Sequence, residues 1–161
     1  MADTTAEGAW RASWAEIDLA AVRHNVGVLV GHCAPAAVCA VVKADGYGHG
    51  AAAVARAALD GGATWLAVAL VEEGVALREA GIDAPVLLLA EPPPDSMDAV
   101  RVAGLTPTLY TPAGVAAAAA GAEPLSVHLK VDTGMHRGGA EPAEAVALAQ
   151  AVEEAGALPL G

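Results

Sequence analysis

The residues best suited to chemistry stand at the end of a short apolar run. Residues 38–42 are mostly β-branched and predict a buried strand, and Lys43 follows at its carboxyl end. An amine held there is partly desolvated, which favours the neutral nucleophile that Schiff-base chemistry needs. A turn with Gly46, Gly48 and Gly50 comes next, and its backbone N–H groups, with those of the following helix, can meet a phosphate. A solvated lysine beside a flexible turn is the alternative interpretation.

A second stretch, residues 129–139, repeats this arrangement. Residues 126–131 predict another buried strand, and polar groups follow at its carboxyl end. Arg137 offers a planar guanidinium that suits a carboxylate or a phenolate oxygen. The alternative interpretation is a structural salt bridge between Lys130 and Asp132, with Arg137 as a solvated loop charge.

The elements that must position these side chains alternate regularly along the chain. Asp18 is a suitable N-cap for a first helix, whose apolar stripe consists of Leu19, Val22, Val26, Leu29 and Val30. After the first strand, further strands are predicted at 65–70, 85–90, 106–110 and 126–131, the third of these weakened by an internal proline, with the start of a sixth at 158–161. Helices are predicted at 51–59, 72–80, from Asp95 to near Gly104, 111–121 and 142–155.

Strands that each precede a helix imply right-handed βαβ units on a parallel sheet. An open doubly wound sheet and a (β/α)₈ barrel both fit this pattern, although the chain has no Gly-x-Gly-x-x-Gly dinucleotide turn with an acidic partner. In a barrel the carboxyl ends of the strands form one functional face. Lys43 and Arg137 would then meet at the same mouth despite their distance in sequence.

Composition limits the classes of partner and compartment. A length of 161 residues predicts one domain, and the net charge of −11 disfavours nucleic acid and anionic membranes as partners. The start of the chain lacks the order of a signal peptide and no apolar run is long enough for a membrane span, so a cytoplasmic protein is expected. Cys33 and Cys39 have no metal-ligand spacing; we expect reduced thiols, with Cys39 in the core.

The full residue sequence of each stretch is more specific to one protein family than the spacing of its residue types. Residues 42–50, Val-Lys-Ala-Asp-Gly-Tyr-Gly-His-Gly, resemble the pyridoxal-phosphate lysine segment of the alanine racemase family, with Gly46 where the family most often has alanine. Residues 130–137 resemble a second signature of that family, Lys-Val-Asp-Thr-Gly-Met-x-Arg, and residues 17–25 resemble its opening helix. The resemblance implies a partial (β/α)₈ barrel of about five to six βα units.

The resemblance also implies roles for individual residues. Lys43 matches the lysine that holds pyridoxal 5'-phosphate as an internal aldimine and then acts as the base for one enantiomer. Tyr47 matches a tyrosine at the cofactor phosphate, and Arg137 an arginine near the phenolic oxygen and the substrate carboxylate. Lys130 matches a lysine that is carbamylated in many members, which would hold Arg137 by a charge-assisted bond. The implied reaction interconverts L-alanine and D-alanine, which supplies D-alanine for the cell wall.

Members of this family are homodimers with eight barrel strands and a β-rich C-terminal domain, which supplies a tyrosine base across the dimer interface. The chain is therefore expected to be an N-terminal fragment: a flexible tail over residues 1–12 and an incomplete barrel domain over 13–161. Two unpaired sheet edges predict poor stability and little activity alone. Other possibilities are another pyridoxal-phosphate racemase, a pyridoxal-phosphate-binding barrel protein, or a non-catalytic fragment that only binds a partner.

Overall fold

The structure, a computed structural model, describes residues 13–155. Its helices and strands alternate as the sequence predicts, except that the glycine-rich turn after the first strand is a short element of its own, Lys43–Gly48, whose backbone is left-handed from Ala44 to Tyr47. In chain order they are α1 Leu19–Cys33, β1 Cys39–Val41, α2 Lys43–Gly48, α3 Ala51–Asp60, β2 Trp65–Val68, α4 Val71–Glu79, β3 Val86–Leu88, the 3₁₀ turn Pro94–Ser96, α5 Met97–Val102, β4 Thr106–Leu109, α6 Pro112–Ala119, β5 His128–Leu129 and α7 Ala145–Glu154. No helix among these residues is long and apolar enough to cross a membrane.

The five strands form one parallel sheet in the order β1-β2-β3-β4-β5. A doubly wound sheet reverses its strand order at a switch point, whereas a barrel adds each new strand beside the last. The strictly sequential order therefore confirms the partial (β/α)₈ barrel and excludes the open sheet.

Alternation along the strands separates two faces of the sheet. One face packs against the helices and forms the core, where side chains of every strand from β2 to β4 are almost completely buried, among them Leu66, Val68, Val86, Leu88 and Leu109. The opposite face is the barrel interior, where apolar residues such as Ala67 and Leu87 lie beside polar ones such as Thr108 and His128. The core face thus serves stability, and the polar groups of the other face are available to a site.

Several helix ends are confirmed in detail. Asp18 accepts hydrogen bonds from the N–H groups of Ala20 and Ala21, as an N-cap does, and Thr111 caps α6 through the N–H of Gly114. Gly61 ends α3, two residues beyond the predicted helix over 51–59. Asp95, by contrast, is not the cap of the following helix: it lies inside the 3₁₀ turn, and α5 begins without a side-chain cap.

One prediction about burial was wrong, and the burial of two other elements differs from what their sequence pattern suggests. Cys39 is exposed rather than in the core, because its register opposite Trp65 places it on the face of the sheet away from the helices, whereas Ala40 packs on the core. The stripe of α1 is at most half-buried, and Leu19 and Leu29 are exposed although the helix packs on α3. The strand with the internal proline, β4, is buried at all four positions because β3 and β5 flank it.

The fifth strand is also shorter than the predicted 126–131. The predicted tail over 1–12 and the predicted sixth strand at 158–161 lie outside the described residues.

Candidate functional site

A cavity of about 560 Å³ opens at the carboxyl ends of the strands. Lys43, Lys130 and Arg137 all line it, together with Tyr110 and His128. The sequence predicted that Lys43 and Arg137 would meet at one mouth, and the fold brings them to the same cavity. Tyr47 is not among the lining residues; its side chain is 58% exposed.

Lys43 is placed by the end of β1 and by an unusual turn. Val42, just before it, is buried and donates its N–H to the carbonyl of Ala67 on β2, which fixes the backbone at the strand end. The next four residues, Ala44 to Tyr47, all have left-handed backbone angles, with φ between 52° and 62°. Such angles cost a non-glycine residue about 1–2 kcal/mol, so this turn needs support from its surroundings.

The glycine-rich turn uses most of its own N–H groups. Gly46 N–H donates to the Val42 carbonyl, Gly50 N–H to the Asp45 carbonyl, and Ala51 N–H to the Asp45 carboxylate at 2.8 Å. The expectation that this backbone meets a phosphate is therefore not supported at these positions, because the left-handed turn satisfies its donors internally.

Glu73, which the sequence analysis missed, supports the turn from outside. Its carboxylate accepts hydrogen bonds from Ala44 N–H at 2.5 Å, Ala69 N–H at 2.8 Å and Leu70 N–H at 3.0 Å. Burial by itself would raise the pKa of Glu73, but these three donors and the nearby charge of Lys43 hold the pKa below its usual value. A glutamate at the third position of a helix is a capping signal that could have indicated the local part of this contact.

Glu91 makes a similar set of contacts at the other side of the mouth. Its carboxylate accepts hydrogen bonds from Tyr110 N–H, Thr111 N–H and the Thr111 hydroxyl, at 2.5, 2.9 and 2.6 Å. A Cβ atom on Gly114 would lie 2.6 Å from this carboxyl group, so only glycine leaves room for it. Glu91 thereby fixes the backbone of Tyr110, which lines the cavity.

The second stretch is shaped by Asp132. Its carboxylate accepts hydrogen bonds from Gly134 N–H at 2.9 Å and His136 N–H at 3.1 Å, which holds the pKa of Asp132 below its usual value. The nearest basic side-chain atom to the Asp132 carboxylate among the recorded contacts is His136 Nδ1, at 3.9 Å, and the alternative salt bridge with Lys130 is not formed among the described residues. Lys130 lines the cavity instead, and Arg137 follows the turn with an exposed side chain.

His128 is a second residue that the sequence analysis missed. It stands two positions before Lys130 on the same strand face, so the alternation of β5 could have indicated it. Its Nε2 atom is buried without a hydrogen-bond partner among the described residues, and its ring lies 5.9 Å from that of Trp65.

The charge of the cavity suits an anionic ligand. Among residues 13–155, the side chains of Lys43, Lys130 and Arg137 make no recorded hydrogen bond or ion pair with other protein groups, whereas Glu73 and Asp132 are occupied by backbone N–H groups. Cations with free donors can bind phosphate, carboxylate or phenolate oxygens, and a lysine can also attack a carbonyl carbon. This donor set can hold an anionic ligand, and either lysine could react with a carbonyl group of that ligand.

Comparisons with known proteins give one consistent result. A family model described as "Alanine racemase, N-terminal domain" matches residues 17–160. The chain is similar to an alanine racemase of Symbiobacterium thermophilum, 49% identical over 140 residues that cover 83% of this chain and 37% of that protein. It is also similar to one of Thermobifida fusca, 45% identical over 150 residues that cover 91% and 40%.

A solved structure agrees with the sequence comparisons. The alanine racemase of Bacillus anthracis with bound L-Ala-P matches with a TM-score of 0.85 at 34% identity, over 94% of this chain and 41% of that chain. This chain thus spans about two fifths of the length of these relatives.

Proposed function

The chain belongs to the alanine racemase family, and on that premise we propose that it forms the pyridoxal-phosphate half of an enzyme that interconverts L-alanine and D-alanine, a source of D-alanine for the cell wall. The observation that carries the proposal is the cavity where Lys43, Lys130 and Arg137 meet. Two motifs far apart in sequence supply these cations to one place.

Three residues would hold the cofactor. Lys43 supplies the amine, Arg137 supplies a guanidinium for its phenolic oxygen, and Tyr47 supplies a hydroxyl for its phosphate. When bound, pyridoxal phosphate accommodates the negative charge that develops on the substrate's α-carbon. In the protein alone, Tyr47 is exposed and does not line the cavity. It would therefore contact the phosphate only when the ligand is bound.

The remaining roles concern the substrate. The Lys43 amine removes or returns the proton at the α-carbon on one face, and Arg137 orients the carboxylate with its planar donors. A carbamyl group on Lys130 would turn this cation into an anion and hold Arg137 in place. Racemisation also needs a group on the opposite face. We propose that this second group comes from outside the chain, and that the chain alone racemises little.

The first experiment tests whether Lys43 binds the cofactor. The purified chain is mixed with pyridoxal phosphate and reduced with borohydride, and the modified peptides are mapped by mass. The chain has two lysines, so Lys130 is an internal reference. We expect Lys43 to be labelled in preference to Lys130, and Lys43→Arg to remove the label. Equal or absent labelling would contradict the proposal.

A second experiment tests the single-base arrangement. With cofactor, the chain is incubated in D₂O with L-alanine or with D-alanine, and deuterium at the α-carbon is followed by NMR. One base on one face should exchange the proton of one enantiomer without inverting it. Inversion of either enantiomer would show that the chain carries both groups. Faster exchange with serine than with alanine would favour a racemase of different substrate preference.

A further inference from the structure

Glu73 connects the ends of two strands through a single carboxylate. One oxygen accepts the hydrogen bond from Ala44 N–H, and the other accepts those from Ala69 and Leu70 N–H. The contacts with Ala69 and Leu70 are local, because these residues come directly before α4, the helix that carries Glu73. The contact with Ala44 is different: it crosses from α4 to the residue that follows Lys43.

The turn after Lys43 requires such a contact. Ala44, Asp45 and Tyr47 are non-glycine residues in left-handed conformation, and this conformation is unfavourable for each of them. Ala44 is the first of them, and its N–H belongs to the peptide group that joins it to Lys43. The orientation of this peptide group therefore affects the direction of the Lys43 side chain. A hydrogen bond at Ala44 N–H therefore fixes both the turn and the direction of the Lys43 side chain.

The chemistry of the contact selects a carboxylate. Both oxygens of an ionised glutamate only accept, so all three N–H donors can be satisfied at once. A glutamine would keep one acceptor oxygen and replace the other with an NH₂ group, which cannot accept. Since the oxygen would retain the two local donors, Ala44 N–H would then face another donor.

We propose that Glu73 is the positioning residue for Lys43: through Ala44 N–H it holds the left-handed turn and directs the lysine amine into the cavity. The proposal rests on the proposed function for the importance of that amine. The hydrogen bond between Glu73 and Ala44 N–H, however, concerns the backbone alone and can be tested without cofactor. Glu73 touches neither substrate nor cofactor in this account and acts through Lys43.

The test compares two neighbouring glutamates in the full chain. Glu73→Gln removes the contact with Ala44, and Glu72→Gln, an identical change at an exposed neighbour with no recorded side-chain hydrogen bond, is the matched control. Amide hydrogen exchange is measured on peptides that contain Ala44, without cofactor. We expect exchange at Ala44 to become about tenfold faster in Glu73→Gln and to stay unchanged in Glu72→Gln, because one charge-assisted hydrogen bond is lost.

Reductive labelling with pyridoxal phosphate is then measured on the same variants. We expect the ratio of Lys43 to Lys130 labelling to fall by about tenfold in Glu73→Gln and to remain unchanged in the control. A merely structural loss of the helix cap would lower both labels together and leave their ratio constant.

The two measurements separate this inference from the proposed function. Unchanged Ala44 exchange in Glu73→Gln overturns the inference, whatever the labelling shows. Where the wild type labels Lys43 in preference to Lys130, faster Ala44 exchange with an unchanged labelling ratio also overturns it, because the lysine would then be directed by something else. Faster Ala44 exchange in a protein whose wild-type lysines label equally supports the backbone contact and contradicts the cofactor proposal alone.

Discussion

At the carboxyl end of the sheet, glutamates accept hydrogen bonds from backbone N–H groups, whereas at the amino end arginines donate to backbone carbonyls. Glu73 and Glu91 serve the residues that follow β1, β2 and β4. Arg78 donates to the carbonyls of Ile82, Ala84, Ala103 and Gly104, before β3 and β4. Arg56 donates to the carbonyl of Ala80 at the end of α4. Arg101 donates to the carbonyl of Ala118 in the last turn of α6 and to that of Glu123 in the loop after it.

This difference follows from the direction of the chain. Each helix runs opposite to its strand, so helix N-termini with free N–H groups gather at one end and helix C-termini with free carbonyls at the other. Acidic side chains suit the first set and basic side chains the second.

The two ends of the sheet differ in the charged side chains that are left free to bind a ligand. At the amino end the arginines are occupied by carbonyls and contribute to stability. At the carboxyl end the glutamates are occupied, while Lys43, Lys130 and Arg137 line the cavity. The functional end therefore presents cations to a ligand, in agreement with the general division of barrel folds into a catalytic and a stabilising face.

The largest effect is expected at the amino end. Arg78→Met removes all four carbonyl contacts and should lower the free energy of unfolding by about 2–4 kcal/mol, because hydrogen bonds to a charged group are worth more than neutral ones. Urea unfolding measures the change. Arg78→Lys should recover only part, since an ammonium cannot reproduce the planar donor set.

Arg23→Met is the control, because Arg23 is exposed and has no recorded hydrogen bond; its change should stay within about 0.5 kcal/mol. In conditions where Arg78→Met remains folded, its Lys43 to Lys130 labelling ratio should equal that of the wild type. A lower ratio would contradict the view that the amino end of the sheet contributes to stability alone and the carboxyl end to the site.

An intermediate effect is expected at the carboxyl end. Gly114→Ala places a Cβ against the Glu91 carboxyl group and should lower the free energy of unfolding by about 1–3 kcal/mol, because the carboxylate must leave Tyr110 and Thr111. Gly31→Ala is the matched control: no atom lies within 4 Å of its new Cβ.

Gly31 lies inside α1, so its replacement by alanine should stabilise the protein by about 0.5–1 kcal/mol. Thermal unfolding of the two variants gives shifts of opposite sign. Equal shifts would mean that Glu91 does not depend on the space at Gly114.

The smallest effect concerns pH. The pKa of Glu73 is lowered in the folded protein, so its contribution to stability is present above the ordinary glutamate pKa of about 4.3 and is lost as pH falls through the lower, folded value. Glu73→Gln should therefore reduce stability at pH 7 by about 0.5–1.5 kcal/mol and flatten the acid side of the stability profile. Urea midpoints between neutral pH and pH 3 test this, with Glu72→Gln expected to retain the wild-type slope.

Much of the fold could be predicted because the signals are local. Asp18 and the Thr111–Pro112 pair mark helix starts, and Gly61 marks a helix end, through torsion angles and hydrogen bonds within a few residues. Burial was predicted less well. The exposure of Cys39 depends on which face of the sheet it occupies, and the complete burial of β4 depends on its having a strand on both sides; no local pattern records either.

The site divides in the same way. The sequence by itself determined that Lys43, Lys130 and Arg137 stand at or just after the ends of strands, because apolar runs and the turns after them are encoded in neighbouring residues. Only the tertiary structure decided that Glu73 reaches Ala44 and that Glu91 reaches Tyr110. These contacts join separate elements, and their geometry is set by the order, register and packing of the strands.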